Sequence, residues 1–310
     1  MRVFVAGATG AIGRPLVRQL REAGHEVVGT TRSEEKAERL RAEGAECVVC
    51  DALDLDALRA AVREAGPDAL VNQLTDLPRN FSVRYRYGRT GDLRMRATPA
   101  MIEAGREVGA RRIVAQSIAF LYVPTGDRVK DEDAPTLNSE LAPGKFGQAA
   151  EETLAMERAV VEAEGMEGLV LRYGFFYGPG TWFAQGTSLA KAYRRRMSPI
   201  VGTGEGVYSF VHVEDAASAT VAALERGAPG VYNVVDDEPA PANDWVPAFA
   251  EAVGGKPPRR VPMWLGKLVG GFNAQTMETM RGASNAKAKR ELGWEPRYAS
   301  WRQGFREGLA

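Results

Sequence analysis

The 310-residue chain has no excess of charge of either sign, since 40 Lys and Arg are matched by 40 Asp and Glu. That balance argues against nucleic acid as a partner, because phosphate-backbone binding rests on a basic surplus. Long hydrophobic runs are missing too. No stretch reads as a membrane-spanning helix, and Met1 leads into a strand-like segment with no signal-type sequence before it. The expectation is a cytoplasmic protein whose partner is a small-molecule substrate, not nucleic acid or membrane. Cysteine is scarce, with Cys47 and Cys50 together in "AECVVC". Residues three apart on a strand face opposite sides, and two sulfurs without further Cys or His are too few for a closed zinc site. Two separate buried thiols are expected. The only histidines, His25 and His212, lie far apart, so no metal site is anticipated. With 45% hydrophobic and 26% charged residues, the chain can bury a sizeable core.

What is present is alternation. Strand-like runs "RVFVAG", "EVVGTTR", "ECVVCD", "ALVNQL", "RIVAQS" and "GLVLRYG" are separated by helix-like stretches such as "AIGRPLVRQLREAG" and "LDALRAAVREAG". Strand and amphipathic helix in turn predict an α/β fold, a Rossmann-type doubly wound parallel sheet with right-handed crossovers. The strands are nearly all apolar, as burial on both faces requires. After about Gly174, Gly- and Pro-rich turns such as "FYGPGTW", "DDEPAPAND" and "GGKPPRRVP" break up shorter elements. The expected organisation is a dinucleotide-binding domain over 1–174 and a smaller, mainly substrate-binding lobe over 175–310. That boundary is approximate and segments are free to interleave. The lobe should lie over the carboxyl ends of the strands.

The stretch "VFVAGATGAIGR" carries the binding signal. Gly7 suits a tight turn, Gly10 a close backbone approach to a diphosphate, and Gly13 close helix–strand packing. With Thr9, Ala11 and Ile12 they form a loop whose free amides and helix start attract phosphate. An NAD site wants an acidic residue at the end of the second strand to hold the ribose 2′-hydroxyl. Here that strand ends in Thr31 and Arg32. Arg32 can grip a 2′-phosphate, helped by Ser33 or Lys36, so NADP is favoured over NAD as the alternative. Asp51 and Ala52 are placed to meet the adenine, and Gln73, Leu74 and Tyr173 complete the expected cofactor surface.

On these residues the chain resembles the extended short-chain dehydrogenases/reductases, the branch of sugar-nucleotide epimerases and dehydratases, from nearly end to end. "GATGAIG", "LRYGFFYGPG", "FVHVEDAASA", "VYNVVDDEP" and "SNAKAKRELGWEP" carry the likeness. The resemblance implies the fold, a nicotinamide dinucleotide and a homodimer built through paired helices. It also implies a Tyr-x-x-x-Lys pair, in which lysine and nicotinamide lower the tyrosine pKa for proton transfer. No Tyr-x-x-x-Lys occurs in the chain. Aligned on Glu157, Ala149 stands at the tyrosine and Thr153 at the lysine, which makes this an atypical member. Arg94 replaces the family's Asn in its "NVxGT" helix start. The family's active-site Ser or Thr falls on Ser117 with one extra residue before Tyr122, and on Ile118 without it. Tyr208 stands where sugar-nucleotide enzymes often carry an Arg, which argues against a nucleotide sugar.

Ser117 and Tyr122 are the candidate catalytic residues, with Tyr173 and Tyr177 also near the expected nicotinamide. Tyr122 is either a proton donor or a packed aromatic, and Lys145 either reaches the pocket or is a solvated loop residue. The stretch "RNFSVRYRYGRTGDLRMR", with Arg84, Arg86, Arg89, Arg94 and Arg96 among Tyr85 and Tyr87, is either a loop over the substrate cleft or a solvated one. Three functions stay open. The first is an NADP-dependent oxidoreductase or isomerase of atypical mechanism on a small, non-nucleotide-sugar molecule. The second is a non-catalytic NADP-binding sensor or scaffold, and the third a sugar-nucleotide epimerase. The retained substrate lobe favours the first.

Overall fold

Alternation along the first strand decides the layering. In Arg2–Ala6 (β1), Val3 and Val5 enter one core and Phe4 and Ala6 another, all without solvent exposure. A strand apolar on both sides must be covered on both. Six strands extend it: Glu26–Thr31 (β2), Glu46–Val49 (β3), Ala69–Asn72 (β4), Arg112–Ile118 (β5), Glu167–Tyr173 (β6) and Gly230–Val234 (β7). The seven pair in parallel in the order β7-β6-β5-β4-β1-β2-β3. This is the doubly wound Rossmann-type sheet expected. The computed structural model describes residues 1–78, 80, 88–142, 144–270 and 272–310.

Helices cover each face. Gly13–Glu22 (α1) and Glu34–Ala42 (α2) pack Leu16, Val17, Leu20, Ala37 and Leu40 on the Val3 side. Leu55–Ala65 (α3), Thr98–Glu107 (α4) and Lys145–Val161 (α5) cover the Phe4 side with Leu58, Met101, Met156 and Val160. Asp54 caps α3 by accepting from the Ala57 amide at 3.1 Å, and Gly66 ends the helix in the left-handed conformation. Cys47 lies in the first core and Cys50 packs against the second, so the two free thiols face opposite sides of the sheet. Strand order reverses between β1 and β4, which opens a crevice at their carboxyl ends.

Beyond Gly174 the chain returns to this sheet, since β7 and the helix Val213–Glu225 (α6) both belong to it. The remainder builds an aromatic core of Phe183, Phe210, Trp245, Phe249, Trp301 and Phe305. Among the described residues no helix is long and apolar enough to cross a membrane, and no group of three or more His, Cys, Asp or Glu is arranged to hold a metal ion.

The "FVHVED" motif ties the C-terminal segment to this frame. Asp215 accepts from the Arg297 and Tyr298 amides at 2.8 and 3.0 Å. His212 caps α6, with Nδ1 accepting from the Glu214 amide at 3.2 Å, while Nε2 donates to Gly308 O at 3.0 Å. The cap needs the neutral ring, because a protonated Nδ1 cannot accept, and burial holds its pKa below the ordinary 6.5. The unfolded chain therefore binds the extra proton first as pH falls. The stability His212 contributes is whole above 6.5 and lost as pH drops through the depressed folded value. Buried Asp215 and Asp236, whose pKa values are raised by burial, act in the opposite sense. The test is therefore a difference: urea denaturation of His212→Gln should show a flatter fall in stability than the wild type between about 6.5 and about 5. Parallel curves would refute the cap's role.

Candidate active site

The crevice begins at the glycine loop. Gly7 holds φ +87°, and a Cβ there would lie 2.8 Å from Gln73 O, so backbone meets backbone between β1 and the segment after β4. At Gly13 a Cβ would come within 2.2 Å of Gly7 O. The Gly10 amide closes the turn on Gly7 O at 3.1 Å, and α1 starts at Ile12 with no side-chain cap. Arg14 donates its amide to Gly10 O at 3.2 Å and Pro15 has none to give, so the amides of Ala11, Ile12 and Gly13 are those open to a ligand, at the positive end of the helix dipole. Thr9 Oγ1 bonds Thr31 Oγ1 at 3.0 Å, and Gly180 lies against Ala11 from the lobe side. Gln73 Nε2 donates to Tyr173 Oη at 3.2 Å, while its Oε1 is a buried acceptor with no partner among the described residues. The geometry fits a dinucleotide: a main-chain cradle that side chains at Gly7 or Gly13 would fill, and an orphaned acceptor beside it.

At the far end of the loop four charges alternate. Arg32 donates to Asp76 at 3.0 Å and Arg89 to Asp51 at 2.7 Å, with Arg89 Nε 3.9 Å from Asp76. Asp51 also accepts from the Leu53 amide at 3.1 Å. Ala52 is buried in the second core, and the Leu74 amide donates to Asn72 Oδ1 at 3.0 Å.

The opposite end holds the catalytic candidates in one buried network. Ser117 Oγ donates to Glu157 Oε1 at 2.5 Å. Arg172 clamps the same carboxylate, Nε at 2.9 Å and Nη2 at 2.6 Å, and its Nη1 donates to Tyr122 Oη at 3.1 Å. Tyr122 donates onward to Asn233 Oδ1 at 2.7 Å. Burial raises the Tyr122 pKa against the pull of Arg172, which keeps the phenol protonated. Tyr173 is wholly buried, bonded to Thr220 at 2.7 Å, and burial pushes its pKa up to about 12. Tyr177 is buried among Phe210, His212 and Phe305, and Lys145 is exposed at the start of α5.

The sequence model of the NAD dependent epimerase/dehydratase family matches residues 3–234. The chain belongs to that family. A 3-diazoavenalumate denitrifying reductase from a Streptomyces species is 44% identical, covering 98% of this chain and 99% of its own. A dTDP-4-dehydro-6-deoxy-D-allose reductase from Streptomyces bikiniensis is 28% identical over 76% of each chain. A human epimerase family protein, solved with NADPH, shares the fold at TM-score 0.75 and 21% identity, over all of this chain and 99% of its own.

Within this epimerase/dehydratase member, Ala149 and Thr153 are buried on α5. Thr153 donates to Ala149 O at 2.6 Å and accepts from Arg94 Nη1 at 2.7 Å. Arg94 belongs to a π-helical turn, Leu93–Ala97, of a kind frequent at functional sites. Arg84, Tyr85, Arg86 and Tyr87 lie outside the described residues; Arg96 is exposed. At the carboxyl edge, half-buried Phe120 and Phe175 stack at 4.6 Å and 15°, Tyr208 leans on Phe175 at 5.2 Å, and Trp182 donates to Pro78 O at 2.8 Å.

The sequence reading missed Glu157–Arg172 and the Phe120–Phe175 stack. One signal was available: an arginine inside the apolar strand "GLVLRYG" needs a buried partner. Glu157→Ala leaves that guanidinium buried and uncompensated, with an expected stability loss of about 3–5 kcal/mol. Chemical denaturation should also find Glu157→Ala plus Arg172→Met less damaging than Glu157→Ala alone. A single-variant loss below about 1 kcal/mol, the range of an exposed pair, would refute this account of the pair.

Proposed function

We propose that the chain is an NADPH-dependent reductase of a small aromatic or conjugated molecule, acting at a centre that needs no side-chain proton donor. One observation carries the reading: the dinucleotide cradle is kept, while alanine and threonine are buried where the family's proton-transfer pair should stand. The amides of Ala11, Ile12 and Gly13 would hold the diphosphate, with Gly10 shaping the turn beneath it. Arg32 and Arg89 would flank a 2′-phosphate that displaces Asp76, with Asp51 and Ala52 toward the adenine. Gln73, Leu74 and Tyr173 would support the nicotinamide half, Tyr173 by bracing Gln73.

Ser117 and Tyr122 act as positioning groups on this reading, since each already donates to an internal acceptor. The stacked phenylalanines offer an apolar, aromatic-lined wall for the substrate, and Tyr208 supplies no cation for a nucleotide diphosphate. The lobe after Gly174 contributes most of that surface. The 44% identical relative narrows the chemistry, for its name describes reduction of a diazo compound with loss of nitrogen. When bound, the dinucleotide would supply a hydride; a diazonium carbon would take that pair as its C–H bond while dinitrogen left with the C–N pair, so no proton would be called for. A ketone would require one. The missing tyrosine and lysine thus agree with a diazonium acceptor.

Two measurements test this. In fluorescence titrations NADPH should bind more tightly than NADH, and Arg32→Ala should erase most of the difference, roughly tenfold for one charge-assisted contact. Equal wild-type affinities would refute the assignment of Arg32. With an aryl diazonium salt, NADPH oxidation and dinitrogen release should run one to one, and 4-deuterated NADPH should label the carbon that bore nitrogen. Binding of NADPH without oxidation by any diazonium, enone or ketone would favour the sensor instead.

A further inference from the structure

We infer that Arg94 takes the place of the lysine the family carries on α5, setting a permanent cation over the nicotinamide end of the crevice from the opposite helix. The inference rests on the dinucleotide reading of the cradle and not on the identity of the substrate.

The heights of the two helices place it. Thr98, four residues after Arg94, accepts from the Nδ2 of Asn72, the last residue of β4, at 2.9 Å. Glu157, four residues after Thr153, accepts from Ser117 near the end of β5. Arg94 and Thr153 therefore each stand one helical turn beyond the carboxyl end of a strand, on neighbouring strands that pair directly. There the guanidinium and the Thr153 hydroxyl meet at 2.7 Å, both residues buried. Thr153 gives its own proton to Ala149 O, so it faces Arg94 as an acceptor only. The hydroxyl thus seats the guanidinium at the root from which a lysine side chain would rise. The π-helical turn carrying Arg94 aims it across the gap between the helices.

Exchanging lysine for arginine has a chemical consequence. A guanidinium stays charged throughout the physiological range, so it can supply a field but cannot pass a proton. An oxidised nicotinamide ring is cationic and a reduced one is neutral. A fixed cation nearby disfavours the oxidised ring, so Arg94 should hold NADPH more tightly than NADP⁺ and help expel the spent cofactor.

Calorimetric titration of both forms into the full chain tests this without turnover. The wild type should prefer NADPH, and Arg94→Gln should shrink that preference by about tenfold, the scale of one partly buried charge. Arg94→Lys should stay within about threefold of the wild type, as should Arg94→Gln with Thr153→Lys, which returns a cation from α5. A folded Arg94→Gln protein with an unchanged preference would overturn the inference. If Arg94→Gln does not fold, the double variant decides: a preference near the wild type supports the proposal, and a lost preference or a second failure to fold overturns it. Failure to reduce any diazonium with these ratios intact would sink the substrate assignment alone, whereas a chain that binds neither cofactor form would sink both.

Discussion

One buried carboxylate sets the geometry at the Ser117 end of the crevice. Glu157 comes from a helix, Ser117 and Arg172 from two adjacent strands, and Arg172 passes the constraint through Tyr122 to Asn233 on a third. Separating charges in a low-dielectric interior costs several kcal/mol, so these partners have little freedom to drift. The clamp fixes the height of α5 over the sheet. That height puts Ala149 and Thr153 beyond the strand ends and brings Thr153 within reach of Arg94.

The two ends of the crevice have diverged in character. At one end glycines permit main-chain approaches that no other residue allows, and the helix start carries no side-chain cap. At the other the polar groups are inward-facing and bonded largely to one another, with the buried Nδ2 of Asn233 lacking a partner among the described residues. Ser117 and Tyr122 each donate to a protein acceptor, and Thr153 bonds Ala149 and Arg94. On the proposed reading, a site arranged in this way would hold a hydride donor against an apolar, aromatic-lined wall, with charge supplied by a group that does not titrate.

Much of this was legible from residue order. The alternation of apolar strands and amphipathic helices foretold the layered sheet, and the glycine spacing foretold the tight turn at Gly7 and the close packing at Gly13, because both depend on local periodicity and on backbone freedom at single positions. The absence of Tyr-x-x-x-Lys was equally plain. Glu157 and Arg172 were both visible, yet their pairing was not, since it joins a helix and a strand whose facing depends on the completed sheet. Phe120 and Phe175 stack although 55 positions separate them. Arg94 was noted as a departure from a helix-start motif, without a hint that it points toward Thr153.

The sequence by itself determined the fold class, the place of the glycine turn and the loss of the customary acid–base pair, because each follows from side-chain chemistry at neighbouring positions. Only the tertiary structure decided which charges are buried together, which tyrosines lie buried, and that Arg94 meets Thr153 across two helices. Those outcomes depend on distances between segments remote in the chain, which packing sets and local pattern does not encode.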